Sequence, residues 1–210
     1  MWLVVGLGNP GARYAGHRHN IGFMAAEAIS AAYSFSAPQK KFDSAVQSGT
    51  IDGQKVLLLL PQTYMNLSGK AVQAAATFHK ITPENIIVIH DEIELAPGKI
   101  RVKRGGGHGG HNGLRDIDAA IGKDYWRVRL GVGRPVPPIE VDAHVLSDFN
   151  AEEKKWLPDF LKSTARHLPL LLDGKDAELM NRVTLDMKQN VTPAKAGVQA
   201  VVTPANNEKS

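Results

Sequence analysis

The run IIVIHD at residues 86–91 does most to limit what this chain can fold into. Four aliphatic residues without a polar break make a buried strand, and the run then ends in polar, ionisable groups. WLVVG at 2–6 reads the same way and passes into a Gly/Pro-rich turn. SAVQSGTI (44–51) and QKVLLLLP (54–61) flank Asp52-Gly53, a strong hairpin signal. Helices are expected over 20–33 and 66–80, with Asn20, Asn66 and Ser68 as candidate N-caps. IRVKR (100–104) and WRVRLGVG (126–133) alternate strictly. Arg101 and Lys103 oppose Ile100 and Val102, and Arg127 and Arg129 oppose Trp126, Val128 and Leu130, so each basic face backs onto an apolar one. A short helix is expected over 112–122. Leu157, Leu161, Thr164, Leu168 and Leu171 mark an amphipathic helix that Pro158 and Pro169 should bound or kink, and another helix follows over 175–187.

Strands and helices alternate, with one hairpin. The expected fold class is α/β: a single domain over 1–188, built on a twisted mixed β-sheet covered by helices on both faces. From Gln189 the composition changes, and VTPA recurs at 191–194 and 202–205 with little bulky apolar content between. Residues 189–210 are expected to be a disordered tail.

The chain has no cysteine, which excludes disulfides and cysteine-based metal or redox sites. MWLVVGLGNP lacks the basic segment of a signal peptide, and the longest aliphatic run, Val56–Leu60, is too short to span a bilayer. A soluble cytoplasmic protein with no membrane association is expected. The net charge of +4 is concentrated: residues 99–134 carry nine basic and three acidic side chains, so that segment is +6 and the rest of the chain is −2. Such a distribution suits a polyanionic partner.

Several motifs carry chemistry. Gly6-Leu7-Gly8-Asn9-Pro10-Gly11 matches the G-x-G-x-x-G of dinucleotide-binding proteins, but Pro10 interrupts the turn and no acidic strand end follows about twenty residues on. The other reading is a tight strand-end loop that delivers Asn9 to the crevice at the carboxyl end of a sheet. His17-Arg18-His19-Asn20 precedes a helix and offers a general base. His90-Asp91-Glu92 offers a carboxylate able to orient a histidine across that crevice. RGGGHGGHNG (104–113) pairs His108 with His111 at metal-ligand spacing, without a third ligand nearby and without the Lys-Ser/Thr of a phosphate loop. Its glycines permit close backbone approach to a ligand, and Asn112 stands at a helix start. These residues leave open an esterase, a nucleotide-cofactor oxidoreductase and a non-catalytic RNA-binding module.

Taken together, GLGNPG (6–11), Tyr14 with Arg18-His19-Asn20, P-x-T-Y-M-N-x-S-G (61–69), His90-Asp91-Glu92 and GGGHGGHNGL (105–114) resemble, in order and spacing, the bacterial peptidyl-tRNA hydrolase family. The resemblance covers residues 1 to 187 and implies cleavage of the ester between a peptide and the 3′ ribose of tRNA. It implies His19 as general base, Asp91 as its orienting partner, and Asn9, Asn66 and Asn112 as amides that position substrate and water. Asn9 is also implied in telling blocked from unblocked aminoacyl groups. Tyr14 and Tyr64 map to substrate contacts, and Lys103 and Arg129 to tRNA phosphates, with Lys99, Arg101 and Arg127 as secondary candidates. The resemblance further implies peptidyl-tRNA as partner, no cofactor, no metal, and a monomer. His17 stands where many members carry threonine. The glycines of 105–111 are expected to form a mobile flap over the ester.

Overall fold

The computed structural model describes residues 1–191. Seven strands form one mixed sheet: β1 (Trp2–Gly6), β2 (Gln39–Lys41), β3 (Ser44–Ile51), β4 (Gln54–Pro61), β5 (Ile86–Glu92), β6 (Ile100–Arg104) and β7 (Trp126–Gly131), in the order β2-β3-β4-β1-β5-β7-β6. β4, β1, β5 and β7 run parallel, whereas β3 and β6 are antiparallel to their neighbours β4 and β7. The helices are α1 (Ile21–Ala32), α2 (Ser68–His79), α3 (Asn112–Ile121), α4 (Val141–Val145), α5 (Glu153–Leu172) and α6 (Asp176–Val191).

The central strands are apolar on both sides because both sides are covered. Val4, Leu58, Ile87 and Ile89 pack with Ile21, Ala25 and Ile29 of α1, Phe160 and Leu168 of α5, and Leu179 and Val183 of α6. Leu3, Val5, Leu59 and Val88, one residue out of phase, pack with Val72 and Ala75 of α2 and with Leu114 and Ile117 of α3. Each wholly buried aliphatic side chain stabilises the fold by about 1.5–3 kcal/mol. The two-residue period of the strands thus sorts the apolar residues into two cores.

The Asp52-Gly53 hairpin forms as expected, with φ of 45° and 78°. A second hairpin, β2–β3, turns on Phe42 and Asp43, both with positive φ (53° and 51°). That pair lacks the asparagine or glycine that usually advertises such a turn. Pro158 and Pro169 neither bound nor break α5, which runs through both. Pro169 cannot donate to Ala165 O, and that carbonyl instead accepts a hydrogen bond from Tyr33 Oη at 3.1 Å. α6 continues to Val191, past the expected boundary at 188. The rest of the expected tail, residues 192–210, with all of the first VTPA after Val191 and the whole of the second, lies outside the described residues. Among the described residues no helix is long and apolar enough to cross a membrane.

Candidate active site

β1, β4 and β5 are adjacent, and the chain leaves β1 to one side and reaches β5 on the other. Their carboxyl ends therefore open the crevice typical of such a reversal in strand order. Gly6 and Gly8 serve packing, whereas Gly11 serves a positive φ of 109°. A β-carbon on Gly6 would lie 2.4 Å from Gly22 O, and one on Gly22 would lie 2.3 Å from Ile89 O. Helix α1 is thus seated main chain to main chain on the strand ends. Phe23 N, in its first turn, donates to Leu7 O at 3.1 Å, so the loop itself occupies the donor a pyrophosphate would need. Asn20 does not cap α1. Its amide instead clasps the Asn9 backbone, with Asn9 N donating to Asn20 Oδ1 and Asn20 Nδ2 donating to Asn9 O, both at 2.9 Å.

A short 3-10 turn, Arg18–Asn20, brings His19 over the end of β5. His19 Nδ1 donates to Asp91 Oδ1 at 2.8 Å, which leaves Nε2 as the basic nitrogen. His111 Nε2 donates to the same Asp91 oxygen at 3.0 Å. The tautomer of His111 is fixed from its other side: Nδ1 accepts from Gly113 N and Leu114 N at 3.1 and 3.3 Å, making His111 the N-cap of α3. Asp91 is buried, and burial favours its neutral acid, but His19 and His111 outweigh this and hold the carboxyl well below its usual range. Burial likewise works against a charged His19, yet the Asp91 charge and hydrogen bond, with Asp142, raise its pKa above the ordinary 6.5. His90 stays neutral. Burial first, then His111, push it down to about 3, and its Nδ1 donates to Asp91 O at 2.7 Å.

His19, Asp91 and His111 each place a ligand-type atom within 4.8 Å of the others, a cluster of metal-binding composition. The two imidazole nitrogens that face Asp91 donate to it and His111 Nδ1 is taken by the backbone of α3, so of the four ring nitrogens only His19 Nε2 stays open. His108 joins neither ring: its Nδ1 accepts from Gly110 N within the glycine-rich loop.

A cleft of about 700 Å³ opens beside His19, lined by Asn9, Tyr14, Tyr64, Met65, Asn66, Asn112 and Arg115, with Asp142, Val145 and Leu146 overhead. All of the amides and tyrosines singled out in the sequence meet here. Asn9 Oδ1 accepts from Met65 N at 2.8 Å, which fixes the amide's orientation and leaves Nδ2 as its donor for a bound molecule. Asn112 is the first residue of α3, and its Oδ1 accepts from Arg115 at 3.3 Å. Tyr64 is largely exposed at the rim. His17 turns away toward Asp148, at 3.9 Å, and the edge of Tyr14.

The basic strands lie beside this cleft. Arg101 pairs in register with Arg129, and Lys103 with Arg127, so all four side chains share one face. Burial and the nearby Arg129 and Arg127 lower the pKa of Lys103 from its usual value. Arg129 is tied to Glu92, next to Asp91, at 2.8 Å. Arg127 departs from expectation. It is wholly buried, pairs with Asp118 at 2.8 Å and donates to Gly107 O at 2.6 Å, because α3 and the glycine-rich loop cover β7. It therefore pins the middle of that loop and is unavailable to a phosphate. The sequence reading missed two further contributors, the roof helix α4 and the part His111 plays on Asp91. The His-x-x-His spacing drew attention to His111, but with metal ligation set aside for want of a third ligand, nothing in the sequence pointed it at a carboxylate.

The fold and cleft together define an α/β protein whose buried carboxylate orients a histidine toward a polar, amide-lined cleft, the arrangement of hydrolases that activate water with a general base. A model of the peptidyl-tRNA hydrolase family matches residues 3–192. A peptidyl-tRNA hydrolase from Rhodospirillum rubrum is 54% identical over 183 residues, covering 87% of this chain and 75% of that protein. One from Bartonella henselae is 50% identical over 188 residues, covering 90% and 97%. The crystal structure of peptidyl-tRNA hydrolase from Acinetobacter baumannii superposes with a TM-score of 0.82 at 42% identity, covering 87% of this chain and 94% of that one. The chain belongs to the peptidyl-tRNA hydrolase family.

Proposed function

We propose that this cleft hydrolyses the ester joining a peptide to the 3′ ribose of tRNA, with His19 as general base. One observation carries the assignment: the 2.8 Å bond from His19 Nδ1 to a buried, ionised Asp91, which leaves Nε2 to take a proton. Water attacks the ester carbonyl carbon as its proton passes to Nε2. Asp91 stabilises the imidazolium formed and stays ionised. The carbon–O3′ bond then breaks, and the imidazolium returns the proton to the ribose oxygen, giving a free peptide acid and a tRNA with its 3′ hydroxyl. Asn9 Nδ2, with its partner oxygen held by Met65 N, is the donor aimed at the developing oxyanion. Asn66 and Asn112 position substrate and water, and Tyr14 and Tyr64 contact the substrate from the cleft wall.

Lys103 and Arg129, on the neighbouring strands, contact tRNA phosphates, which gives sequence-tolerant binding. A free α-ammonium loses hydration in a cleft suited to a neutral acylated nitrogen, which favours peptidyl over aminoacyl substrates. The enzyme acts as a cytoplasmic monomer of one catalytic domain and needs no metal or cofactor. The test is hydrolysis of N-acetyl-aminoacyl-tRNA, with chelator present, by the unaltered protein and its His19→Ala and Asp91→Ala variants. His19→Ala is expected to lose about 10²–10⁴-fold in rate while still binding tRNA. Equal rates for all three would refute the mechanism, and equal rates on the unacetylated substrate would refute the specificity.

A further inference from the structure

Arg18 stands beside the base in sequence, yet its side chain points away from the cleft and is almost wholly buried. Nε and Nη2 meet Glu153 Oε1 and Oε2 at 3.2 and 2.5 Å. Nη1 donates to Ser147 Oγ at 2.7 Å, Asp148 O at 2.8 Å and Ser147 O at 3.2 Å, with His144 O at 3.4 Å. The backbone repeats the connection. Arg18 N donates to Ser147 O at 3.0 Å and Phe149 N to Gly16 O at 3.2 Å, and His17 forms a β-bridge with Asp148. One guanidinium thus gathers His144 near the C-terminal end of α4, Ser147 and Asp148 just beyond it, and Glu153, the first residue of α5.

A buried ion pair is a poor device for stability alone, since an apolar pair of similar volume often serves as well. What an apolar pair cannot do is hold several carbonyls at fixed positions, which the planar fork of arginine does. Those carbonyls belong to the roof. Asp142, Val145 and Leu146 line the cleft with His19, and Asp142 also lines the smaller cavity behind it, beside His90 and His111. We propose that Arg18 is a positioning residue for the hydrolysis: it locks α4 to the backbone that carries His19, so that roof and base keep one register. The proposal rests on His19 being the base.

The groups that act on the charge of His19 are Asp91 from β5 and Asp142 from α4; His90 and Glu92 from β5, His108 and His111 from the glycine-rich loop and the head of α3, Arg115 and Asp116 from α3, and Tyr14 and Tyr64 line the same two cavities. If α4 drifts, Asp142 is the one that leaves, and the support it gives to a protonated His19 leaves with it. The experiment compares Arg18→Met with the double variant Arg18→Met/Glu153→Leu, which leaves no unpaired buried charge, and with Asp142→Asn. Melting temperature, kcat and KM for N-acetyl-aminoacyl-tRNA across pH, and amide exchange of 141–148 without substrate are measured. The double variant is expected to regain most of the melting temperature lost by Arg18→Met. Its kcat should remain about 10- to 100-fold low, the cost of a misplaced reacting geometry. Its 141–148 amides should exchange faster, and the acid limb of its rate profile should move to lower pH, as in Asp142→Asn. A double variant with unaltered kcat, pH profile and exchange would overturn the proposal. Exchange is read without catalysis, so it reports on the lock even if His19 proves not to be the base.

Discussion

Replacing Asp91 by asparagine separates charge from orientation in a way this site makes unusually clean. Both histidines donate to the same oxygen, Oδ1, at 2.8 and 3.0 Å. An asparagine can set its carbonyl oxygen there, keep both hydrogen bonds, and place its nitrogen where Oδ2 was. His111 cannot adopt the other tautomer, because its Nδ1 is held by two backbone N–H groups. The substituted amide is therefore obliged to present oxygen to both rings, and His19 keeps Nε2 unprotonated for catalysis. What is lost is the difference between a hydrogen bond to a charged acceptor and one to a neutral acceptor, about 1–2 kcal/mol. If all of it is felt in the imidazolium-like transition state, the rate falls about 5- to 30-fold. Asp91→Ala also frees the ring and its tautomer, and should lose on the order of 10⁴-fold, as removal of tautomer control does in a serine protease. Asp91 raises the pKa of His19, so Asp91→Asn should also let burial prevail and move the acid limb of the rate profile to lower pH. Single-turnover hydrolysis of N-acetyl-aminoacyl-tRNA from pH 5 to 9 measures both effects. An Asp91→Asn loss as deep as that of Asp91→Ala, or an acid limb displaced to higher pH, would refute the shared-oxygen reasoning.

His111→Asn should keep the α3 cap, since asparagine is a good N-cap, while losing the bond to Asp91; melting should change by less than about 1 kcal/mol while kcat falls several-fold. Lys103→Ala and Arg129→Ala should each weaken tRNA binding and reduce the salt slope by about one, with single-turnover rate at saturation unchanged. Arg127→Met should act on stability instead, costing about 3–5 kcal/mol because Asp118 is left buried without its cation; a denaturant titration checks it. Gly22→Ala should destabilise the fold by about 1–3 kcal/mol or more, because its β-carbon would meet Leu7 N at 2.5 Å as well as Ile89 O, and calorimetry reads the shift.

The strands were legible because burial on both faces writes an unbroken apolar run, as in IIVI, and the Asp52-Gly53 hairpin because its turn needs those residue types. The β2–β3 hairpin was not, since Phe42 and Asp43 take positive φ without a residue type that announces it. Helix α4 has five residues and meets Arg18, more than a hundred positions earlier, through His144 O, so no local pattern could mark it. Alternation placed Arg127 and Arg129 on one face correctly, but a period of two says nothing about whether that face is covered. Asn20 looked like a cap because it stands before a helix, and only the folded loop turns its amide to Asn9. The cleft side chains were found through motif order, whereas the tautomers of His19 and His111 follow from hydrogen bonds that exist only in three dimensions.

Gly22 follows His19 by three residues, and Ile89 precedes Asp91 by two. Where these meet, helix and strand rest on each other through main-chain atoms. The spacing of His19 and Asp91 is thus gauged by a mechanical stop that no rotamer can lengthen or shorten. Parts located this way can be kept while everything around them is exchanged. Residues such as Tyr14, Tyr64 and Leu146, which shape the cleft but not the stop, are free to be recut for a different acyl group without redimensioning the His19–Asp91 pair.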